Sequence, residues 1–229
     1  MLLTTLFWSS LALAGFAEDI ELAADTSKPL DLRQSAFTRL QVDEATETLV
    51  KTAKNADVAA GHRWVAVRAL AKVPDGDAEA ALLEFLDSDQ AQTRIAACLA
   101  LGERGNTRLS GRLAARLDDK ALLVRQAAAD GLGQLRDPKT LPDLERALGE
   151  PSNHYRGTSM WVRRHYAEAM GSIGTDAAIP YLAKLLDDSD PDVVKSGMLG
   201  LEKVAGFSYR EGRRPEEETE AWRRWAKGR

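Results

Sequence analysis

Asp119-Lys120-Ala121-Leu122-Leu123-Val124-Arg125-Gln126-Ala127-Ala128-Ala129-Asp130-Gly131-Leu132-Gly133 decides how the rest of the chain is read. Val124, Ala128, Ala129, Leu132 and Leu135 recur at helical spacing, and Gly133 stands where a helix can end. Arg63, Arg94, Arg125 and Arg163 begin one shared ruler. Seven residues on come Leu70, Leu101, Leu132 and Met170; eight on, Ala71, Gly102, Gly133 and Gly171. Twenty-three residues on come Leu86, Leu117, Leu148 and Leu186. Arg33 and Lys195 extend the series, with Leu40 kept in the first unit and Glu202 replacing leucine in the last. The starts lie 30, 31, 31, 38 and 32 residues apart. Four anchors shared by four units make this a repeat protein.

Each unit reads as two helices. A second apolar stripe follows each arginine helix: Ala81, Leu82, Phe85 and Leu86; Leu109, Leu113 and Leu117; Leu141, Leu144 and Leu148; Ile179, Leu182, Leu185 and Leu186. Acidic turns such as Asp87-Ser88-Asp89 and Asp187-Asp188-Ser189-Asp190 offer acceptors to the next helix N-terminus. No single pair buries its stripe alone, so the pairs must stack into a solenoid. Composition agrees. The 229 residues include 36 alanines and 31 leucines but only 15 valines and isoleucines together, which favours helix over strand. One cysteine excludes a disulfide framework and any multi-cysteine metal site. A net charge of −4 gives no support to a nucleic-acid partner.

The Asp119–Gly133 stretch resembles the D-x-x-x-x-V-R-x-x-A-x-x-x-L-G signature of HEAT and HEAT-like repeats, the set also seen in phycobilisome-lyase-type proteins. Asp57 with Arg63, Asp89 with Arg94 and Asp190 with Lys195 repeat the theme, so the resemblance covers about residues 28–205. It implies an all-α fold, a right-handed α-α superhelix of about five to six helix pairs. The solenoid is expected over residues 18–206, with a linker and C-terminal capping helix over 207–229. It also implies that the arginine helices line a concave face. Asp57, Asp89 and Asp119 would form a structural ladder with Arg63, Arg94, Arg125 and Arg163. Arg163 departs from the pattern, lacking an aspartate five or six residues earlier. Cys98 falls where other units carry Val67, Ala129 and Ala167, and reads as a small buried hydrophobe.

Residues 1–17 contain no charged side chain and lead through Leu2-Leu3, Leu6-Phe7-Trp8 and Leu11-Ala12-Leu13 to Ala14, Gly15 and Ala17. This reads as a secretory signal peptide, too short to span a bilayer comfortably, and predicts a periplasmic or secreted location. No Lys or Arg follows Met1, and the other reading is a retained helix packed on the fold.

Catalytic motifs are not found: there is no phosphate loop, nucleophile elbow or HExxH sequence. HEAT-like di-iron hydroxylases carry His-Glu pairs, whereas Arg63, Tyr155 and Tyr166 follow the three histidines here. No catalytic residue, cofactor or metal is therefore expected. The 38-residue spacing places an insertion at Glu150–Thr158, and Pro151–Tyr166 holds three arginines, two histidines, two tyrosines, a tryptophan and no acid. Insertions in solenoids map to loops on one face, and Trp, Tyr and Arg are common interface anchors. His154, Tyr155, Arg156, Trp161, Arg164 and His165 are thus candidate partner-binding residues; packing of Trp161 and Tyr166 into a widened gap is the bland alternative. One and five residues after the ladder arginines, Trp64 and Arg68 join the candidates. Trp222 and Trp225, three apart on the last helix, read as a cap, with a partner-docking helix as the alternative. These observations predict an exported HEAT-repeat scaffold for a protein or peptide, acting through the 151–166 insert and the concave face. The alternatives are a lyase-type HEAT-like enzyme or enzyme subunit, and a purely structural module. Oligomeric state is not encoded in any of these features.

Overall fold

A computed structural model describes residues 15–229. The apolar run at residues 2–13 and the first cleavage position, Ala14, lie outside that range, whereas residues 15–17 open a helix. The chain divides into two compact units, Met1–Arg104 and Gly105–Arg229. The fold is all-α, of the HEAT-like solenoid class.

The first unit holds α1 (residues 15–24), α2 (Leu30–Arg39), α3 (Thr46–Lys54), α4 (Ala60–Ala69), α5 (Gly76–Phe85) and α6 (Ala91–Arg104). α4 packs on α2, α3 and α6, and α5 on α3 and α6. The leucines of the repeat ruler, Leu40, Leu70, Leu86 and Leu101, are fully buried between these layers, as are Leu49 and Leu82. Cys98 of α6 is fully buried with them. At the start of α5 the Asp75 carboxylate accepts the Asp77 N–H at 2.9 Å, satisfying one of the free amides of a helix N-terminus. Arg104 closes α6 by donating through Nη1 to Leu70 O and Val73 O and through Nη2 to Asp75 O, at 2.6–3.2 Å. α1 is joined to α2 by an Arg39–Asp19 ion pair and buries Ile20 and Ala23.

The second unit comprises α7 (Ser110–Ala114), α8 (Leu122–Leu135), α9 (Leu141–Gly149), β1 (His154–Tyr155), β2 (Thr158–Ser159), α10 (Val162–Ile173), α11 (Ile179–Leu185), α12 (Pro191–Ala205) and α13 (Pro215–Lys227). α8, α10 and α12 stack as one row of arginine-type helices, while α7, α9 and α11 pack behind them. The row is tight because small residues face each other. A Cβ placed on Gly171 would come 2.9 Å from the Gly200 Cα, and one on Gly133 would come 3.2 Å from the Ala169 Cα. The ruler glycines Gly133 and Gly171 are therefore sites of backbone contact between helices.

The insertion departs from a plain loop. After a 3-10 turn at Pro151–Asn153, β1 and β2 pair antiparallel with His154 opposite Ser159 and Tyr155 opposite Thr158. The turn residues Arg156 and Gly157 both have positive φ, 51° and 79°, the combination a tight two-residue hairpin requires. Its base is anchored in the core: Asn153 Nδ2 donates to Ala147 O at 2.7 Å, and the fully buried Tyr166 hydroxyl donates to Asn153 Oδ1 at 3.4 Å. Burial pushes the Tyr166 phenol up to about 12, against the lowering influence of the Arg125 charge.

The C-terminal helix α13 packs on α11 and α12. Trp222 is fully buried, with Phe207 stacked at 5.5 Å and Tyr209 and Trp225 edge-on at 4.8 and 5.5 Å. Arg223 donates to Leu186 O at 2.8 Å and pairs with Asp187, so α13 satisfies a carbonyl at the end of α11.

Three measurements test this packing. Gly171→Ala should lower the melting temperature by several degrees, since overpacking costs about 1–3 kcal/mol. Gly111→Ala, with nothing within 4 Å of the new Cβ, should leave it level or slightly higher. Trp222→Ala should cost about 3–5 kcal/mol in denaturant unfolding, as for a buried aromatic. A raised tyrosine pKa contributes stability that is whole below the unfolded value of about 10 and is lost as pH rises towards the folded one. Stability should accordingly fall from pH 10 to pH 12 more steeply in the parent protein than in Tyr166→Phe.

Candidate functional site

The four arginines of the ruler sit at helix starts and point at the turns. Arg63 donates to Ala56 O at 3.1 Å and to Val58 O, and Arg94 donates to Ser88 O at 2.8 Å and Asp89 O at 3.1 Å. Arg125 reaches a turn 27 residues later, donating to the Ser152 carbonyl and hydroxyl at 3.3 and 3.0 Å. The Asp119 carboxylate accepts the Ala121 N–H at 2.8 Å in the turn ahead of α8, and the Asp57 N–H is held by the Asn55 side chain at 2.9 Å. Arg163, which lacks the aspartate of the motif, is 4% exposed and pairs in two-pronged fashion with Asp188, 25 residues further on, at 2.6 and 3.2 Å. It also donates to Leu148 O and Ser159 Oγ at 2.9 Å. Ser159 in turn donates to Asp190, whose carboxyl burial would push up. Hydrogen bonds from Ser159 and from backbone amides, with the Arg163 charge, hold it below the usual carboxylate range. The hairpin is thus pinned at both ends. Arg125 holds Ser152, Ala147 O holds Asn153, and Asp190 with Arg163 holds Ser159.

The tip of the hairpin and Trp161, just ahead of α10, face outward. Tyr155 is 62% exposed with the Arg156 guanidinium 5.2 Å above its ring, and His154 Nδ1 lies 3.3 Å from Glu150 O. One turn into α10 the arrangement changes character. His165 Nδ1 lies 2.9 Å from Asp130 Oδ1 of α8, and the other Asp130 oxygen accepts from Gln126 Nε2 at 3.3 Å. Trp161, 45% exposed, meets the His165 ring edge-on at 5.6 Å. Glu168 lies 3.8 Å from His165 and pairs with Arg164 at 3.3 Å. A histidine whose Nδ1 is held by a carboxylate keeps its tautomer and orientation, which leaves Nε2 for proton exchange. The partly exposed pair, with an aromatic wall beside it and a charge on either side, is the most chemically equipped surface of the second unit. His154 and Tyr155 belong to the hairpin rather than to this cluster, whereas Trp161, Arg164 and His165 come together in it. Asp130, five residues after the ladder arginine of α8, was not among the sequence candidates; its contact with His165 joins two neighbouring repeats, 35 residues apart.

Trp64 and Arg68 lie in the first unit, on α4. Trp64 is 37% exposed, and Arg68 forms an ion pair with Glu103. Trp222 and Trp225 sit in the aromatic cluster of α13 described above. Among the described residues, no three His, Cys, Asp or Glu side chains converge as metal ligands would, and none of the histidines is followed by glutamate, so the donor set of a HEAT-like di-iron centre is not formed by these residues.

Comparison with known proteins locates the chain. The HEAT repeats family model matches residues 79–160 and 156–201, together more than half of the chain, and the PBS lyase HEAT-like repeat model matches residues 63–88. Deoxyhypusine hydroxylase of Candida albicans is 37% identical over 90 residues, covering 39% of this chain and 27% of that protein. The Eremothecium gossypii protein of the same name is 31% identical over 109 residues, covering 48% and 32%. The chain therefore spans only about a third of the length of these relatives. Among solved structures, the complex of CpcE and CpcF of phycocyanin lyase from Nostoc superposes with a TM-score of 0.57 at 24% identity, over 70% of this chain and 65% of that one. Kap121p gives 0.56 at 14% identity over 86% and 26%; both likenesses concern the fold. These matches correct one expectation. The exported binding scaffold inferred from sequence gives way to an enzyme-linked reading, because curated relatives from fungi, insects, a plant and a mammal carry the name of an enzyme. The repeat ruler, the stacked helix pairs and the family match agree: the chain belongs to the HEAT-repeat family.

Proposed function

We propose that the chain is a HEAT-like enzyme or enzyme subunit of the lyase kind, whose substrate is a protein or peptide. The observation that carries this reading is the His165–Asp130 pair at 2.9 Å beside the exposed Trp161. In the proposed role, Trp161 and Arg164 hold a polypeptide segment against α8 and α10. His165 accepts or returns a proton through Nε2, with Asp130 orienting the ring through Nδ1. The named enzymes among its relatives, all hydroxylases, support an enzymatic role as such. Hydroxylation itself is not proposed, since the His-Glu pairs that such chemistry uses in this fold have no counterpart here. Nucleic acid is no part of the proposal. A periplasmic or secreted location is a separate proposal resting on the charge-free run before residue 15, and fractionation of a C-terminally tagged chain tests it.

A photo-crosslinking amino acid in place of Trp161 should capture a defined polypeptide in native cells, and capture should fail from position 123, an exposed leucine of α8. The captured polypeptide should carry a mass change that is lost when His165→Gln replaces the parent chain. Replacing Asp130 by Asn should slow its appearance by about 10²-fold or more, the range general acid–base groups contribute. A captured polypeptide of unchanged mass in all strains would remove the enzymatic reading.

A further inference from the structure

Two neighbouring repeats carry a similar side-chain pair one residue past the ladder arginine. In α8, Gln126 reaches Asp130 four residues on, its Nε2 donating to Oδ2 at 3.3 Å. In α10, Arg164 reaches Glu168 four residues on, also at 3.3 Å. Both are i,i+4 pairs on faces that their helices leave at least partly open. His165 sits beside both carboxylates, its Nδ1 2.9 Å from Asp130 Oδ1 and 3.8 Å from Glu168 Oε2. Only the first distance is that of a hydrogen bond. The ring nitrogen is thus drawn across to the preceding repeat and not along its own helix.

The two donors differ in a way that accounts for this choice. Arg164 brings a full positive charge to Glu168 and competes with the imidazole for that carboxylate. Gln126 is a neutral amide. It fixes the Asp130 carboxylate through Oδ2, brings no charge of its own, and leaves Oδ1 turned to His165. An ionised carboxylate only accepts, so an Nδ1 facing it carries the hydrogen and Nε2 keeps its lone pair.

We propose that Gln126 is a positioning residue of the α8–α10 site, acting through Asp130 to hold His165 in its Nδ1–H form beside Trp161. The assignment rests on the proton-transfer role given to His165 above, whereas its test requires no substrate.

Nitrogen-15 NMR of the full chain at about pH 9, above the ordinary histidine range, reads the tautomer directly. The His165 signals, identified by their loss in His165→Gln, should show hydrogen on Nδ1 and none on Nε2. Gln126→Met keeps the side-chain length and removes the donor. It should shift the hydrogen from Nδ1 to Nε2 while the melting temperature stays level, since a partly exposed i,i+4 pair adds little to a helix. Glu168→Gln should leave the Nδ1–H signature in place. In the capture assay, Gln126→Met should slow the mass change by about tenfold or more, the scale of a misplaced catalytic group, with capture itself unchanged.

An Nδ1–H signature retained in Gln126→Met would overturn the assignment alone. Its loss in Glu168→Gln would do the same, making Glu168 the holder of the ring. Hydrogen on Nε2 in the parent chain would overturn the assignment together with the proton-transfer reading. If Gln126→Met fails to fold, Gln126→Ala carries the same expectations.

Discussion

A fixed cation placed where helices run out of hydrogen-bond partners organises both units. The last carbonyls of a helix and those of the turn beyond have no intrahelical donor, and burying them unpaired is costly. Arg63 and Arg94 serve the turns just ahead of their own helices, Arg125 reaches Ser152, 27 residues on, and Arg163 reaches both Leu148 O, 15 residues back, and Asp188, 25 residues on. Arginine suits this duty better than lysine because its planar fork delivers several donors at once and its charge persists at any accessible pH. Lys195, at the same ruler position in the last unit, is exposed. The requirement for the cation ends where the row of repeats ends and α13 takes over, with Arg223 donating to Leu186 O.

Features with a short, repeated period were open to reading from sequence. The arginine, the leucine seven residues on and the small residue after it recur because each repeat solves the same packing problem. Their burial and the Gly171–Gly200 contact follow from that periodicity. The hairpin was hidden for a physical reason: strands of two residues give no alternation to detect, and only Arg156-Gly157 at the turn hints at it. Partners that sit 25–35 residues away were hidden too. Asp188 replaces the missing aspartate of the Arg163 unit, and Asp130 meets His165, through stacking that no local spacing encodes.

The same distinction separates fold from function. Repeat residues serve the repeat, so the ladder arginines and ruler glycines are occupied with architecture. In the proposed function, chemistry falls to positions where the repeat is broken or left over: the insert and the outer edge of α8 and α10. The lengthened fourth spacing carries out two tasks. It adds the hairpin, and it ends at Trp161, whose ring meets the edge of His165. A HEAT framework that binds through such irregularities can keep its stability while its surface changes, since few buried contacts are at stake.

The chain's single thiol, Cys98, is sealed in the interior of α6. Thiolate reactivity requires access, so two copies can become joined by a sulfur–sulfur bond only after that part of the first unit has come apart. The fraction of covalent dimer in an aged, unreduced sample is therefore a cumulative record of how often the interior has opened, written by the protein itself.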